Sequence, residues 1–267
     1  MRTPTILAVA ALCGSAAFLW TLYQRAPRED EGPSAAAAAM SARRTQFAMV
    51  ANDRPREREQ LVKWLENNPN SYDGYFDLAN LFEGAGDRDA AREAWGKVRD
   101  VAGTIRESNP QEIRATFMYA WASDKLGRAD EAARAFAEAD RMYGPVVGVN
   151  GRFQSSHTAV ARYGWCRRKL GDEQGARSAW QRAAELLERI GPEGMGPEDA
   201  YNLGCYRALA GDRESALQWL ESAVTRGYAE PEWALGDDDL LSLRGDPRFL
   251  ELVAKMTEAK ARRKSGE

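Results

Sequence analysis

An all-α solenoid of stacked helical hairpins is the fold this sequence predicts, and three observations predict it. Gly86, Gly127, Gly171 and Gly211 recur at separations of 41, 44 and 40 residues. Seven positions before each stands a small residue (Ala79, Ala120, Gly164, Gly204), preceded by a large one (Leu78, Tyr119, Tyr163, Leu203). After each glycine come an alanine at five (Ala91, Ala132, Ala176, Ala216), a bulky apolar residue at nine (Trp95, Phe136, Trp180, Leu220), and Val98, Ala139, Ala183 or Ala223 at twelve. Self-similarity at such a period marks a repeat array, each unit being too small to bury its apolar stripe alone.

In chain order, the first element is apolar. Ile6 to Tyr23 run 18 residues without a charge, bounded by Arg2 and Arg25. That length reaches the lower limit of a membrane-spanning helix and exceeds the apolar core of a usual signal peptide. Trp20 and Tyr23 stand where an interfacial aromatic belt places them. Residues 1–25 are therefore expected to form an uncleaved anchor, a single N-terminal transmembrane helix. The alternative is a cleavable signal, since Ser15-Ala16-Ala17 are small, although cutting there leaves FLWTLY at a new terminus. Leu12 occupies the position where a lipobox needs a small residue, so Cys13 is not a lipidation site. Arg2, Arg25 and Arg28 give a weak positive-inside bias. A short tail that stays inside sends the rest across, so the expectation is a single-pass membrane protein with a periplasmic or otherwise extracytoplasmic domain. Residues 26–54 read as a tether, rich in Ala, Pro, Gly, Ser and acidic residues up to about Ala42.

The array is expected over residues 55–246. It opens with an amphipathic helix from Arg56 to Asn67, stopped by Asn68-Pro69, that packs on the first hairpin. In each hairpin, large and small residues at helical spacing make one apolar stripe before the glycine and another after it. The glycine supplies the positive φ that ends the first helix, and the Asp or Arg behind it opens the second. Residues 247–267 are expected to be a capping helix from about Pro247 and a basic, solvated, frayed tail, KARRKSGE. Asp237-Asp238-Asp239 lack calcium-loop spacing and read as turn and helix caps.

The phrases DLANLFEGAGDRDAAREAW, YAWASDKLGRADEAARAF, YGWCRRKLGDEQGARSAW and YNLGCYRALAGDRESALQWL resemble the tetratricopeptide repeat (TPR) family. The resemblance covers about Tyr72 to Val224 and is to the bacterial membrane-anchored type, in which an element like PEWALGDDDLLSLRGDPRFLELVAKM often follows the last repeat. Two departures stand out. The period exceeds the family's usual length, so helices or connections are longer. The aromatic expected four residues before the glycine is present only as Phe82, with Ser123, Arg167 and Arg207 in the other units, so those hairpins should pack less regularly.

Composition narrows the function classes. With 37 basic and 40 acidic residues the net charge is −3, which indicates neither nucleic-acid binding nor polyanion capture. A single histidine, His157, rules out a two-histidine metal site, and its place near a helix start suggests an exposed or capping role. No Walker loop, Gly-x-Gly-x-x-Gly run or nucleophile elbow is present, and GPEGMGPED lacks the Lys-Ser or Lys-Thr of a phosphate cradle. No enzyme, cofactor, metal or small-molecule substrate is expected. Cys166 and Cys205 lie on the first helices of adjacent units, as buried thiols or, in an oxidising compartment, a disulfide.

The resemblance implies that the first helix of each hairpin lines an inner groove. Counting back six from each glycine gives Asn80, Trp121, Trp165 and Cys205; counting back ten gives Phe76, Phe117, Ala161 and Tyr201. Arg114, Lys125, Arg162, Arg168 and Lys169 surround the aromatics with positive charge, which suits an acidic-hydrophobic peptide, a helical segment or a terminal carboxylate of another protein. The other reading of these aromatics is packing against the next helix. The family's carboxylate clamp for chaperone tails agrees only at Asn80 and Arg162, so heat-shock chaperone binding is not expected. The function expected is that of a membrane-anchored interaction scaffold in assembly or maturation of a membrane or envelope complex. Its alternative is a structural subunit docking by its edges or convex face.

Overall fold

Every element is helical among the residues that the computed structural model describes, 54–84, 86–148 and 156–265. Helix α1 (Arg54–Asn67) precedes four hairpins: α2 (Tyr72–Gly84) with α3 (Arg88–Ser108), α4 (Ile113–Lys125) with α5 (Ala129–Val147), α6 (His157–Lys169) with α7 (Glu173–Glu188), and α8 (Pro197–Ala210) with α9 (Arg213–Thr225). A short α10 (Pro231–Gly236), a 3-10 turn (Asp238–Leu243) and α11 (Pro247–Ser265) follow. The expected anchor (1–25) and nearly all of the tether (26–54) lie outside the described residues. Among the described ones, no helix is long and apolar enough to cross a membrane.

The four glycines behave as expected. Gly86, Gly127, Gly171 and Gly211 have φ of +76°, +73°, +83° and +90°. The next residue's N–H reaches back five positions in each unit: Asp87 to Phe82, Arg128 to Ser123, Asp172 to Arg167, and Asp212 to Arg207, at 2.8–3.0 Å. This left-handed closure satisfies carbonyls that the helix end leaves open. Asp87, Asp172 and Asp212 then cap the second helices by accepting the N–H of Ala90, Gly175 and Ser215. Arg128 makes no such cap.

The long period is taken up by the second helices and by connections. Helices α3 and α5 reach 21 and 19 residues. The bulky residues nine after the glycine, Trp95, Phe136, Trp180 and Leu220, are all buried to 1% exposure or less. Burial of such a side chain contributes about 1.5–3 kcal/mol. The small residue opposite makes room: a Cβ on Gly164 would sit 2.5 Å from Trp180 Nε1, and one on Gly204 would sit 2.8 Å from Leu220 Cγ.

Where the family aromatic is missing, ion pairs replace it in the last two hairpins. Arg167 pairs with Asp172 of its own turn and with Asp140 of the preceding hairpin. Arg207 does the same with Asp212 and Glu188. Less regular packing was expected there; at two of the three positions an ion pair to the preceding hairpin stands where the aromatic is missing.

Helix α11 packs on α9 and covers the last hairpin as the sequence suggests. The frayed tail is overturned, because α11 continues to Ser265. Lys260 is 6% exposed and pairs with Glu230, and Arg263 donates to the carbonyl of Gly227. A basic run becomes structural once carbonyl and carboxylate acceptors from the preceding connection face it. Helix α10 brings the two ends of the array together by packing on α2.

Candidate partner groove

The inner face is built by α2, α4, α6 and α8, and its aromatics form a ladder. Phe117 stacks on Trp121 at 5.8 Å between centroids, Trp121 meets Trp165 edge-on at 4.9 Å, and Trp165 meets Trp180 edge-on at 5.6 Å. Phe117 also contacts Phe136 and Tyr143 and is buried. It is therefore a core residue and not an anchor offered to a partner, because helix α5 supplies aromatic walls on its far side. Trp121 and Trp165 are half-buried and join hairpin two to hairpin three. Phe76 packs edge-on against Trp95 at 5.4 Å, and Asn80 donates its amide N–H to the carbonyl of Phe76 at 2.9 Å.

Four of the five positive charges expected around the ladder have acidic neighbours. Lys125 Nζ lies 2.9 Å from Glu83 and 3.1 Å from Asp238. Burial pulls its ammonium pKa down, but these two carboxylates outweigh burial and hold it above the usual value. Lys169 pairs with Asp124 at 2.6 Å and lies over the rings of Trp121 and Trp165. Arg168 faces Glu173 at 3.7 Å and the Trp165 ring. Arg114 pairs with Asp73, and Arg162 lies against the hydroxyl of Tyr143.

The central finding is a segment of the chain itself lying across the inner helices. Gly236 abuts Gly84 at the end of α2. Tyr201 OH on α8 donates to Asp237 Oδ2 at 2.8 Å. Lys125 on α4 pairs with Asp238, and Trp165 Nε1 on α6 donates to Asp239 Oδ1 at 3.1 Å. One short stretch thus touches the first helix of every hairpin. Asp237 is also the N-cap of the 3-10 turn, accepting the N–H of Asp239 at 3.0 Å, so the capping reading holds for it. Burial raises the carboxyl pKa of Asp237, while the N–H of Asp239 and the Tyr201 hydroxyl pull it back only in part. Tyr201 is buried, stacked on Tyr228 at 4.2 Å, so it too is closed to an outside partner as the chain stands.

Sequence reasoning missed the three aspartates as groove occupants; Trp233, just before them, packs against the C-terminal core. A signal existed: an acidic-hydrophobic segment suits this face, and PEWALGDDD is one. Cys205, Asp237 and Asp239 place a ligand atom each within 4.8 Å of one another, but Asp237 accepts from Tyr201 and Cys205, and Asp239 from Trp165. These contacts make a hydrogen-bonded cluster. Cys166 and Cys205 are buried free thiols, with pKa pushed up by burial. His157 opens α6, and its Nδ1 shares a hydrogen bond of 3.0 Å with Tyr206 OH.

No family model matches the chain, and no curated protein matches it. Among solved structures, MamA is similar at 16% identity over 71% of this chain and 98% of its own, with a TM-score of 0.32. A thermophilic TPR protein of Thermus thermophilus is similar at 16% identity over 80% of this chain and 93% of its own, TM-score 0.38. YrrB, a TPR protein with an unusual peptide-binding site, is similar at 17% identity over 78% and 99%, TM-score 0.31. The four hairpins and their left-handed turn glycines make the fold a helical-repeat array.

Proposed function

We propose that the chain is a membrane-anchored interaction scaffold whose inner helical face takes a segment of a partner protein during assembly or maturation of a membrane or envelope complex. One observation carries the reading. The inner face aims an ammonium (Lys125), an indole N–H (Trp165) and a phenol O–H (Tyr201) at the carboxylates of a short acidic stretch. Such a face suits peptide capture by hydrogen-bond donors set among aromatic walls. The anchor at residues 1–25 supplies the membrane tether and an extracytoplasmic position for the repeats.

A second reading draws on the same stretch. Because the chain itself fills this face, a partner that docks on outer helices or on the α11 edge meets no competition, as in a structural subunit of a larger complex. Carbodiimide crosslinking in membranes, followed by mass spectrometry, separates the two. Links from a partner's acidic groups to Lys125 or Lys169 support the groove. Links confined to Lys97 on α3 and Lys255 on α11 support the outer faces. Alkaline extraction tests the anchor, and release of full-length protein into the soluble fraction overturns it.

A further inference from the structure

We propose that Pro231–Asp239 is a built-in occupant of the partner groove, and that the partner segment it stands in for carries an aromatic residue followed four to six positions later by acidic groups. The inference rests on the groove reading above and specifies its ligand. The occupant is a strap held at two ends. Before it, Tyr228 is stacked on Tyr201; after it, Leu240 is fully buried. Gly227, at φ +103°, turns the chain into the strap.

Between these ends the contacts all run in one sense. Trp233 packs against the C-terminal core and Ala234 is buried, while Leu235 is 44% exposed. Then Asp237, Asp238 and Asp239 accept from Tyr201, Lys125 and Trp165, three donors carried by three different inner helices. Arg244, on the far side of the strap, donates to the Asp237 carbonyl at 3.2 Å and faces Asp238 at 3.9 Å.

A segment without acidic groups would deprive the Trp165 N–H and the Tyr201 O–H of their carboxylates, which is the costly outcome for a covered polar group, while Lys125 would keep only Glu83. A segment without the aromatic would leave empty the place where Trp233 packs. The spacing of Trp233 to Asp237–Asp239 is thus the recognition pattern the face is built for. Tethering gives the strap an effective concentration on the order of millimolar, so an outside segment must bind better or meet a loosened strap. Of the three contacts, the Lys125–Asp238 pair is partly exposed, its side chains 19% and 41% accessible, and exposed pairs hold weakly; the Tyr201–Asp237 bond is made by a buried phenol. The Asp238 contact is therefore the first to open, whereas Leu240 and Leu243, both fully buried, stay with the last hairpin.

The probe is a fluorescein-labelled peptide, EPEWALGDDDL, matching residues 230–240, titrated against the full chain in detergent. A Trp233→Ala, Asp238→Asn, Asp239→Asn variant vacates the strap's contacts and should bind the peptide at least tenfold tighter than the parent. A control peptide carrying the same three changes should not bind. Equal binding by parent and variant, with helical circular dichroism retained, overturns the proposal. Should that variant fail to fold, a Gly84→Cys, Gly236→Cys variant is used, since these positions adjoin. Oxidation then locks the strap, and peptide binding should be at least tenfold weaker than in the reduced state. Identical binding in both states, or none in either, overturns the proposal. Failure here alongside crosslinks on Lys125 and Lys169 leaves the scaffold reading intact with a different ligand. Crosslinks confined to outer faces would instead remove the groove reading.

Discussion

Hairpins one and three carry tryptophan at the same register position and use it differently. Trp95 and Trp180 both stand nine residues after the turn glycine and both are 1% exposed. Opposite Trp95 is Ala79, and the indole N–H turns outward to Glu83 Oε1 at 2.8 Å. Opposite Trp180 is Gly164, and the indole lies on bare backbone, donating to the carbonyl of Ala161 at 3.1 Å. One methyl group on the inner helix therefore goes with whether the bulky residue of the outer helix seeks a side chain or the main chain. Trp180, seated deeper, contacts Trp165, and Trp165 in turn holds the strap.

The largest expected effect comes from removing the deeper ring. Trp180→Ala should cost about 3–5 kcal/mol, read by denaturant unfolding. A loss below about 1 kcal/mol would mean that hairpin three does not depend on that side chain. Gly164→Ala keeps the ring but forces it off Ala161. Overpacking of about 1–3 kcal/mol is offset by up to about 1 kcal/mol of helix preference, and the indole is displaced, which near-ultraviolet circular dichroism reads. Ala79→Gly loses helix preference and a buried methyl, about 1–2 kcal/mol together, but leaves the Trp95 ring in place. An unchanged indole signal in Gly164→Ala would therefore erase the distinction between the hairpins.

Trp165→Phe retains the ladder and deletes the N–H to Asp239. A loss of about 1 kcal/mol is expected, together with faster amide exchange at Asp237–Asp239 and none at α3. The C-terminal side should also show an acid response of its own. The Arg248 backbone N–H and side chain, with Arg213, hold the carboxyl of Asp246 at about 2, below its ordinary 3.8. A depressed carboxyl contributes stability that is present above 3.8 and is lost as pH falls through the folded value. The gap in thermal midpoint between parent and Asp246→Asn should therefore be widest near neutrality and should shrink between about pH 4 and 2. A gap independent of pH would exclude the charged cap as its cause. The smallest effect belongs to Glu83→Gln, at most about 0.5–1 kcal/mol, because Trp95 keeps an oxygen acceptor, Lys125 keeps Asp238, and the site is partly exposed.

These particular residues show how far reading the chain could go. The stripe-glycine-stripe pattern located all four hairpins and put their turns at the correct glycines, because those signals act within a few residues. The ladder of Phe117, Trp121 and Trp165 was also legible as aromatics at helical spacing. Its burial was not, since the walls around Phe117 come from Phe136 and Tyr143 of the long helix behind it. Lys260 reads as tail until Glu230 is beside it, and Lys125 reads as a free cation until Glu83 and Asp238 meet it.

The sequence by itself determined the local grammar: helix, left-handed glycine, helix, with a capping aspartate in three units of four, repeated until a capping helix ends the array. Backbone conformation and side-chain spacing are enough for that, because each closure is made by atoms a few positions apart. Only the tertiary structure decided that Pro231–Asp239 returns to the first hairpin and lies over the inner helices. That outcome depends on how helix lengths and connections add up over all four units, and on donors from Lys125, Trp165 and Tyr201 converging in space with no period in the sequence to announce them.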